Sequence, residues 1–297
     1  MKCVFPLSAL GDANAEEIPE ATPQTFTGIA RMILLVSVSS ESARSDGMQA
    51  LTMSVALVAC LALWVWHDYH EWKKLGRGAI PYNLKGWWIV RGFSLHTREP
   101  FSTRMYDSRL VDANEAARLP ELPQRRGQRP RLGRHPVPHR QVTQMPDESI
   151  KQATRQLFDR FVQRRAAQVH YANSFYERNN PAVIVTDLQH AHPIVKLTQG
   201  EAAHWHPIDG SMHMIFSASD AKQIIEKGWG ERHGLAGVPR YTLPDTYLMV
   251  YAPRNEQELG IIEQLLHAAV GHVGACDCQC DVHDHSQQAQ LFAPAVA

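Results

Sequence analysis

Seventeen consecutive residues, Ala50 to Trp66, carry no charged side chain. At ~1.5 Å rise per residue such a run reaches roughly 25 Å as a helix, enough to cross a bilayer at the short end of the range. Trp64, Trp66 and Tyr69 would then sit at one interface. Lys73, Lys74 and Arg77 come directly after the run, whereas Arg44 before it is offset by Glu41 and Asp46. This excess of basic residues on the C-terminal side places the bulk of the chain in the cytosol. The expectation is a single-pass membrane protein of the endoplasmic reticulum, anchored through residues 50–66, with a cytosolic C-terminal domain. A cleaved signal peptide fits less well, because no basic region precedes the run and no small-residue cleavage site comes after it. A buried core helix is the remaining alternative.

The run divides the chain. Residues 1–47 are rich in Ala, Ser, Glu, Pro and Thr and read as a disordered leader, with Met48 as an alternative start. Residues 48–70 form the anchor, and residues 71–146 a juxtamembrane and Pro/Arg-rich connector, extended from Leu119 to Pro146. Asn83 to Phe93 is too short to span a membrane and is expected to lie in the interface or pack on the domain. Residues 147–273 form the folded domain, and residues 274–297 a disordered tail.

Within the domain, Asp147 to Gln168 has helical spacing, with Ile150, Ala153, Leu157, Phe161 and Val162 on one face and Lys151, Arg155, Arg160, Arg164 and Arg165 on the other. Pro181–Thr186, Pro193–Thr198, Glu201–His206, Ser211–Ser217 and Asp245–Ala252 read as strands. Ser219–Lys227 reads as a short helix closed by Gly228. Asn255–Val270 reads as a helix opened by Asn255 and Glu258, with a stripe of Leu259, Ile262, Leu265, Leu266 and Ala269. The fold class is α+β: a small mixed or antiparallel sheet packed by helices and preceded by one transmembrane helix.

Formal net charge is zero, which argues against nucleic acid as a partner. The five cysteines are Cys3, Cys60, Cys276, Cys278 and Cys280, so no disulfide framework lies between residues 61 and 275. Cys276, Cys278 and Cys280 with His283 and His285 resemble a metal site in composition but are spaced too closely for a zinc finger. No P-loop, dinucleotide fingerprint or nucleophile elbow is present.

The chemistry is concentrated in Ala203-His-Trp-His-Pro-Ile-Asp-Gly-Ser-Met-His213. The two-residue period of a strand puts His204 and His206 on one face. Pro207–Gly210 reads as a turn, after which His213 points back at the pair. Three converging imidazoles suit a metal site or an acid/base cluster, and both readings stand at this point. Gly228-Trp-Gly-Glu-Arg-His233 adds a flat apolar wall in Trp229 and cationic or hydrogen-bonding groups in Arg232 and His233. Tyr251-Ala-Pro-Arg254 sits where a strand meets a helix N-terminus, which favours an anion.

These strings together resemble the fungal luciferase family. The resemblance rests on Glu201-Ala-Ala-His-Trp-His206, His213 before an apolar run, Glu226-Lys-Gly-Trp-Gly-Glu-Arg-His-Gly-Leu-Ala-Gly237 and Tyr251-Ala-Pro-Arg-Asn-Glu256, and extends over roughly residues 50–273. It implies a membrane-anchored oxygenase that adds dioxygen to a 3-hydroxy-2-pyrone such as 3-hydroxyhispidin. The endoperoxide then loses carbon dioxide. The turn Pro207–His213 is closer to uncharacterised relatives than to luminous ones, so light emission is left open.

On this basis His204, His206, His213, Arg232 and His233 are the expected catalytic residues, with His204 or His206 as base. Trp229, Tyr251 and Arg254 are expected to bind substrate. No cofactor is expected beyond dioxygen as co-substrate. The alternatives are iron or zinc on His204, His206 and His213, and a non-catalytic binder of a flat anionic metabolite or acidic lipid.

Overall fold

A computed structural model describes residues 46–274 apart from residue 111. The expected leader up to residue 45 and the tail with Cys276, Cys278, Cys280, His283 and His285 lie outside the described residues. The chain divides into two compact units, with the boundary between Lys74 and Leu75.

The described part of the first unit is one helix, α1 (Asp46–Lys74), of 29 residues. Its stretch Leu51–Lys74 is long and apolar enough to cross a membrane. Leu51, Met53, Val55, Leu57, Val58 and Leu61 are all exposed on it.

The second unit opens with α2 (Leu84–Ser94). Asn83 caps it, its side chain accepting from the Gly86 amide at 3.1 Å. Phe93 meets Tyr241 edge to face, so this apolar segment packs on the domain. Short 3-10 turns come next at Arg104–Arg109 and Ala113–Glu115. The remaining elements are α3 (Glu148–Arg164), β1 (Val169–Asn173), β2 (Pro181–Val185), α4 (Val195–Thr198), β3 (Glu201–Trp205), β4 (Met212–Ile215), α5 (Ala218–Glu226), β5 (Gly230–Arg232), β6 (Tyr247–Val250) and α6 (Glu256–Val273).

The fold is α+β with a six-stranded sheet in the order β1-β2-β3-β4-β6-β5. Every strand pair is antiparallel. Directly paired residues share a face, so the register defines rows across the sheet. One row is Tyr171, Val183, Ala203, Met214, Leu248 and Arg232. Its neighbours Trp205, Met212 and Val250 join it in a core with Ile262, Leu265, Leu266 and Ala269 of α6 and Leu157, Phe158 and Phe161 of α3. The stripe read from the sequence is thus the face that α6 presents to the sheet. Burying each of the Val, Leu, Ile, Phe and Met side chains contributes about 1.5–3 kcal/mol.

The opposite face carries the row Ala172, Ala182, His204, His213, Met249 and Glu231. The Pro/Arg-rich connector packs on it, bringing His139 and Arg140 against it, and is stitched down rather than free. Arg118 and Leu119 donate backbone N–H bonds to Asp220, Leu122 to Gln223, and Arg125 to the Lys227 carbonyl.

Three local expectations are corrected. Pro193–Thr198 is not a strand. Its last four residues form α4, stopped by Gln199 and Gly200 at φ 54° and 81°. A short apolar run does not itself separate strand from helix, and the left-handed stop decides it here. Residues 165–168 leave the helical path, since α3 ends at Arg164 and β1 begins at Val169. Gly230–Arg232, absent from the expected strands, is strand β5. Gly230 serves close approach: a Cβ there would lie 2.5 Å from the Met249 carbonyl oxygen.

Candidate active site

The strands β3 and β4 place His204 and His213 directly opposite each other. Their ring centroids are 5.3 Å apart, and His206 lies 5.1 Å from His204 and 5.0 Å from His213. His206 comes just after β3, where the turn is closed by His206 N–H to the Ser211 carbonyl and Gly210 N–H to the His206 carbonyl, both at 2.8 Å. Gly210 takes φ 74°, which a glycine adopts without cost. His233 lies two residues beyond Glu231, on the same face, 5.4 Å from His213. His139 completes the group, 5.5 Å from His213 and 4.6 Å from His233. Tyr247 stacks on His213 at 4.6 Å. All five imidazoles are buried.

The hydrogen bonds fix how each imidazole is held. His204 Nδ1–H donates to Glu201 Oε1 at 2.5 Å. Glu201 reaches the same face through a β-bulge: Ala203 pairs with Val183, but Glu201 pairs with Ile184, so one extra residue inverts the alternation. His206 Nδ1–H donates to Ser211 Oγ at 2.9 Å, and Ser211 in turn donates to Asp209. His213 Nδ1–H donates to the Leu248 carbonyl at 3.2 Å. In each of these three rings the Nε2 lone pair is left to face inward. Neither His204 Nε2 nor His206 Nε2 has a hydrogen-bond partner among the described residues. His233 differs: the Leu235 amide donates to its Nδ1 at 3.1 Å, and the Pro136 carbonyl takes its other N–H.

Glu177 faces this set from the β1–β2 loop. Its Oε1 lies 3.6 Å from His206 Nε2. Arg140 holds it with two bonds of 2.6 Å, and Asn180 donates a third of 2.6 Å. Ser174 pins the loop by accepting from the Glu177 amide and donating to Glu201. One donor atom from each of Glu177, His204, His206 and His213 lies within 4.8 Å of all the others.

Burial disfavours the charged form of four of the rings. Burial holds His139, His206 and His213 well below the usual imidazole range, and neighbouring imidazoles and Arg140 lower them further. Burial also takes His233 down to about 4. Burial pushes Glu177 up, but the Arg140 charge and hydrogen bonds outweigh it, and the carboxylate stays ionised. Burial raises Glu231, which accepts from Tyr251 and lies 4.0 Å from His139 Nε2. A cavity of about 270 Å³ abuts the cluster, with Arg140, His206, Arg77 and Asn180 on its wall.

The structure therefore brings together His204, His206, His213 and His233 of the expected site residues, and places the others elsewhere. Arg232 belongs to the opposite row and donates to the Ser102 and Glu99 carbonyls. Trp229 donates its indole N–H to the Pro123 carbonyl at 2.8 Å, with Arg125 over its ring. Arg254 is paired with Glu258, which also binds Arg125. Tyr251 touches the cluster through Glu231, to which its hydroxyl donates at 2.7 Å. Sequence reasoning missed His139, Arg140, Glu177, Glu201 and Asp209. The signals were faint: a histidine and arginine at the end of a proline-rich run, and an acid three residues before His204.

An antiparallel α+β domain with a buried multi-histidine face is the class these features define. A family model described as "Luciferase domain" matches residues 199–269, which span β3 to most of α6. The chain is 31% identical over 242 residues to a "Luciferase" of Armillaria gallica, covering 77% of this chain and 90% of the relative. It is 32% identical over 239 residues to a "Luciferase" of Neonothopanus nambi, covering 75% and 87% respectively. The chain belongs to the fungal luciferase family. No solved structure matches it.

Proposed function

We propose that this chain is a membrane-anchored, luciferase-like oxygenase that adds dioxygen to a hydroxypyrone-type substrate at the imidazole face. The observation that carries the reading is the row of His204, His213 and Glu231, closed over by His139, His206 and His233 in a chain of this family. An acidic enol needs a proton acceptor near neutral pH, and imidazole is the side chain suited to it. We assign that role to His139 rather than to His204 or His206, as a weak base matched to an acidic enol. The Nδ1 of His139 is buried with no hydrogen-bond partner among the described residues, and its Nε2 faces Glu231. Loss of the enol proton leaves an electron-rich carbanion–enolate. Dioxygen adds to its carbon, the endoperoxide closes on the lactone carbonyl, and carbon dioxide departs. His204, His206, His213 and Glu177 form the floor beneath the substrate. Burial of the whole face excludes water from the peroxide.

Helix α1 supports a membrane anchor by its length and exposed apolar side chains. We assign the anchor to the endoplasmic reticulum membrane, and Lys73 and Lys74 at its end support a cytosolic position for the domain. Oxygen consumption by detergent-solubilised full-length protein given 3-hydroxyhispidin tests the reading. Uptake that falls in His139→Gln supports it. No uptake with this or related hydroxypyrones rejects it.

A further inference from the structure

We propose that Glu177, His204, His206 and His213 bind a divalent first-row transition metal ion. The inference deepens the proposed function, since it gives the floor of that same site its chemistry. Four acceptor groups face one another here: three Nε2 lone pairs and one carboxylate oxygen, all from buried side chains within 4.8 Å of each other. Acceptors packed this closely repel unless a cation sits between them. His204 Nε2 and His206 Nε2 are fully buried and have no hydrogen-bond partner among the described residues.

The surroundings match what a metal site requires behind its ligands. A ligating imidazole gives its other N–H to a carboxylate, carbonyl or hydroxyl, which fixes the ring and its tautomer. Each of the three does so: His204 to Glu201, His206 to Ser211 backed by Asp209, and His213 to the Leu248 carbonyl. His233 lies outside this set of four and groups instead with His139 and His213. Glu177 spends only part of its capacity on Arg140 and Asn180, and a carboxylate oxygen carries a second lone pair for an ion. The Arg140 charge opposes the cation and limits affinity. Three imidazoles and one carboxylate, with no thiolate, suit zinc or iron(II). Zn–N bonds of about 2.0–2.1 Å set tetrahedral donors roughly 3.4 Å apart, so a small closing movement completes the site.

The test is metal binding by the full-length protein, measured apart from turnover. Protein stripped with a chelator is titrated with Zn²⁺ and, separately, Co²⁺, and bound metal is counted after gel filtration. The expected result is one ion per chain, visible ligand-field bands from Co²⁺, and a rise in melting temperature with added ion. Glu177→Gln is expected to weaken binding about 10-fold or more, and His204→Ala with His206→Ala to abolish it. His190→Gln, on an exposed loop, is expected to bind like wild type. Substoichiometric binding by wild type, or undiminished binding by the folded double variant, overturns the inference. Wild type that holds no ion yet takes up oxygen overturns the metal and leaves the oxygenase reading intact. One tightly held ion without turnover of any hydroxypyrone does the reverse.

Discussion

Glu201 Oε1 lies 2.5 Å from His204 Nδ1, three residues along the same strand and on the same face of the sheet. Regular alternation forbids that arrangement, and the bulge opposite Val183 and Ile184 creates it. The carboxylate fixes the His204 tautomer and turns Nε2 inward. Glu201→Gln keeps the shape but removes the charge behind the imidazole. The expected outcome is an oxygen-uptake rate about 10–100-fold lower with the fold retained. Steady-state kinetics beside a circular dichroism melt check it.

Arg232 separates frame from site. It sits on the row opposite the imidazoles and ties β5 to residues 99–102 by two side-chain bonds. Arg232→Met is expected to cost about 1–3 kcal/mol of stability by stranding two carbonyls. Turnover per folded molecule should stay unchanged. Denaturant titration and active-fraction kinetics measure the two effects independently.

Gly230→Ala is expected to be destabilising by about 1–3 kcal/mol, because the new methyl meets a backbone oxygen that cannot retreat without breaking the β5–β6 pairing. It should also loosen Glu231 and His233, which β5 aims at the cluster. A lowered unfolding midpoint together with a lowered turnover rate is the signature.

The Glu258 network gives the domain an acid sensitivity separate from that of the imidazoles. Burial pushes this carboxyl up, but hydrogen bonds from Arg125 and Arg254 hold it at about 2, below its ordinary 4.5. A carboxyl lowered by folding stabilises above the unfolded value, and that stability is lost as pH falls from 4.5 towards 2. Glu258→Gln should therefore be less stable at neutral pH, with a flatter loss of stability across that window. Urea midpoints measured from pH 7 downwards check both.

Much of the fold was legible because local patterns act locally. The stripe on α6 and its Asn255 cap are short-range signals, and the structure shows both. The period of two put His204 and His206 together, and the Pro207–Gly210 turn returned His213 to them. Parity also shows why Arg232 and His233 part company: adjacent residues on β5 and just beyond it face opposite sides. What stayed hidden depends on chain pairing at long range. Glu177 and His139 join the cluster from a loop and a proline-rich segment that carry no periodic signal. Glu201 is hidden by a bulge, which only the register with β2 reveals. Trp229, Tyr251 and Arg254 drew attention as a motif, and the structure uses them to clasp Arg125, Glu231 and Glu258 beside the face.

The central claim is that the buried imidazole face is where a hydroxypyrone meets dioxygen. The most direct measurement is simultaneous oxygen uptake and photon counting with 3-hydroxyhispidin on wild type, the His204→Ala/His206→Ala variant and Arg232→Met. The account expects uptake by wild type and Arg232→Met, and none by the double histidine variant; photon counts report whether the product is formed in its excited state. Equal uptake by all three proteins, or none by wild type, would contradict it.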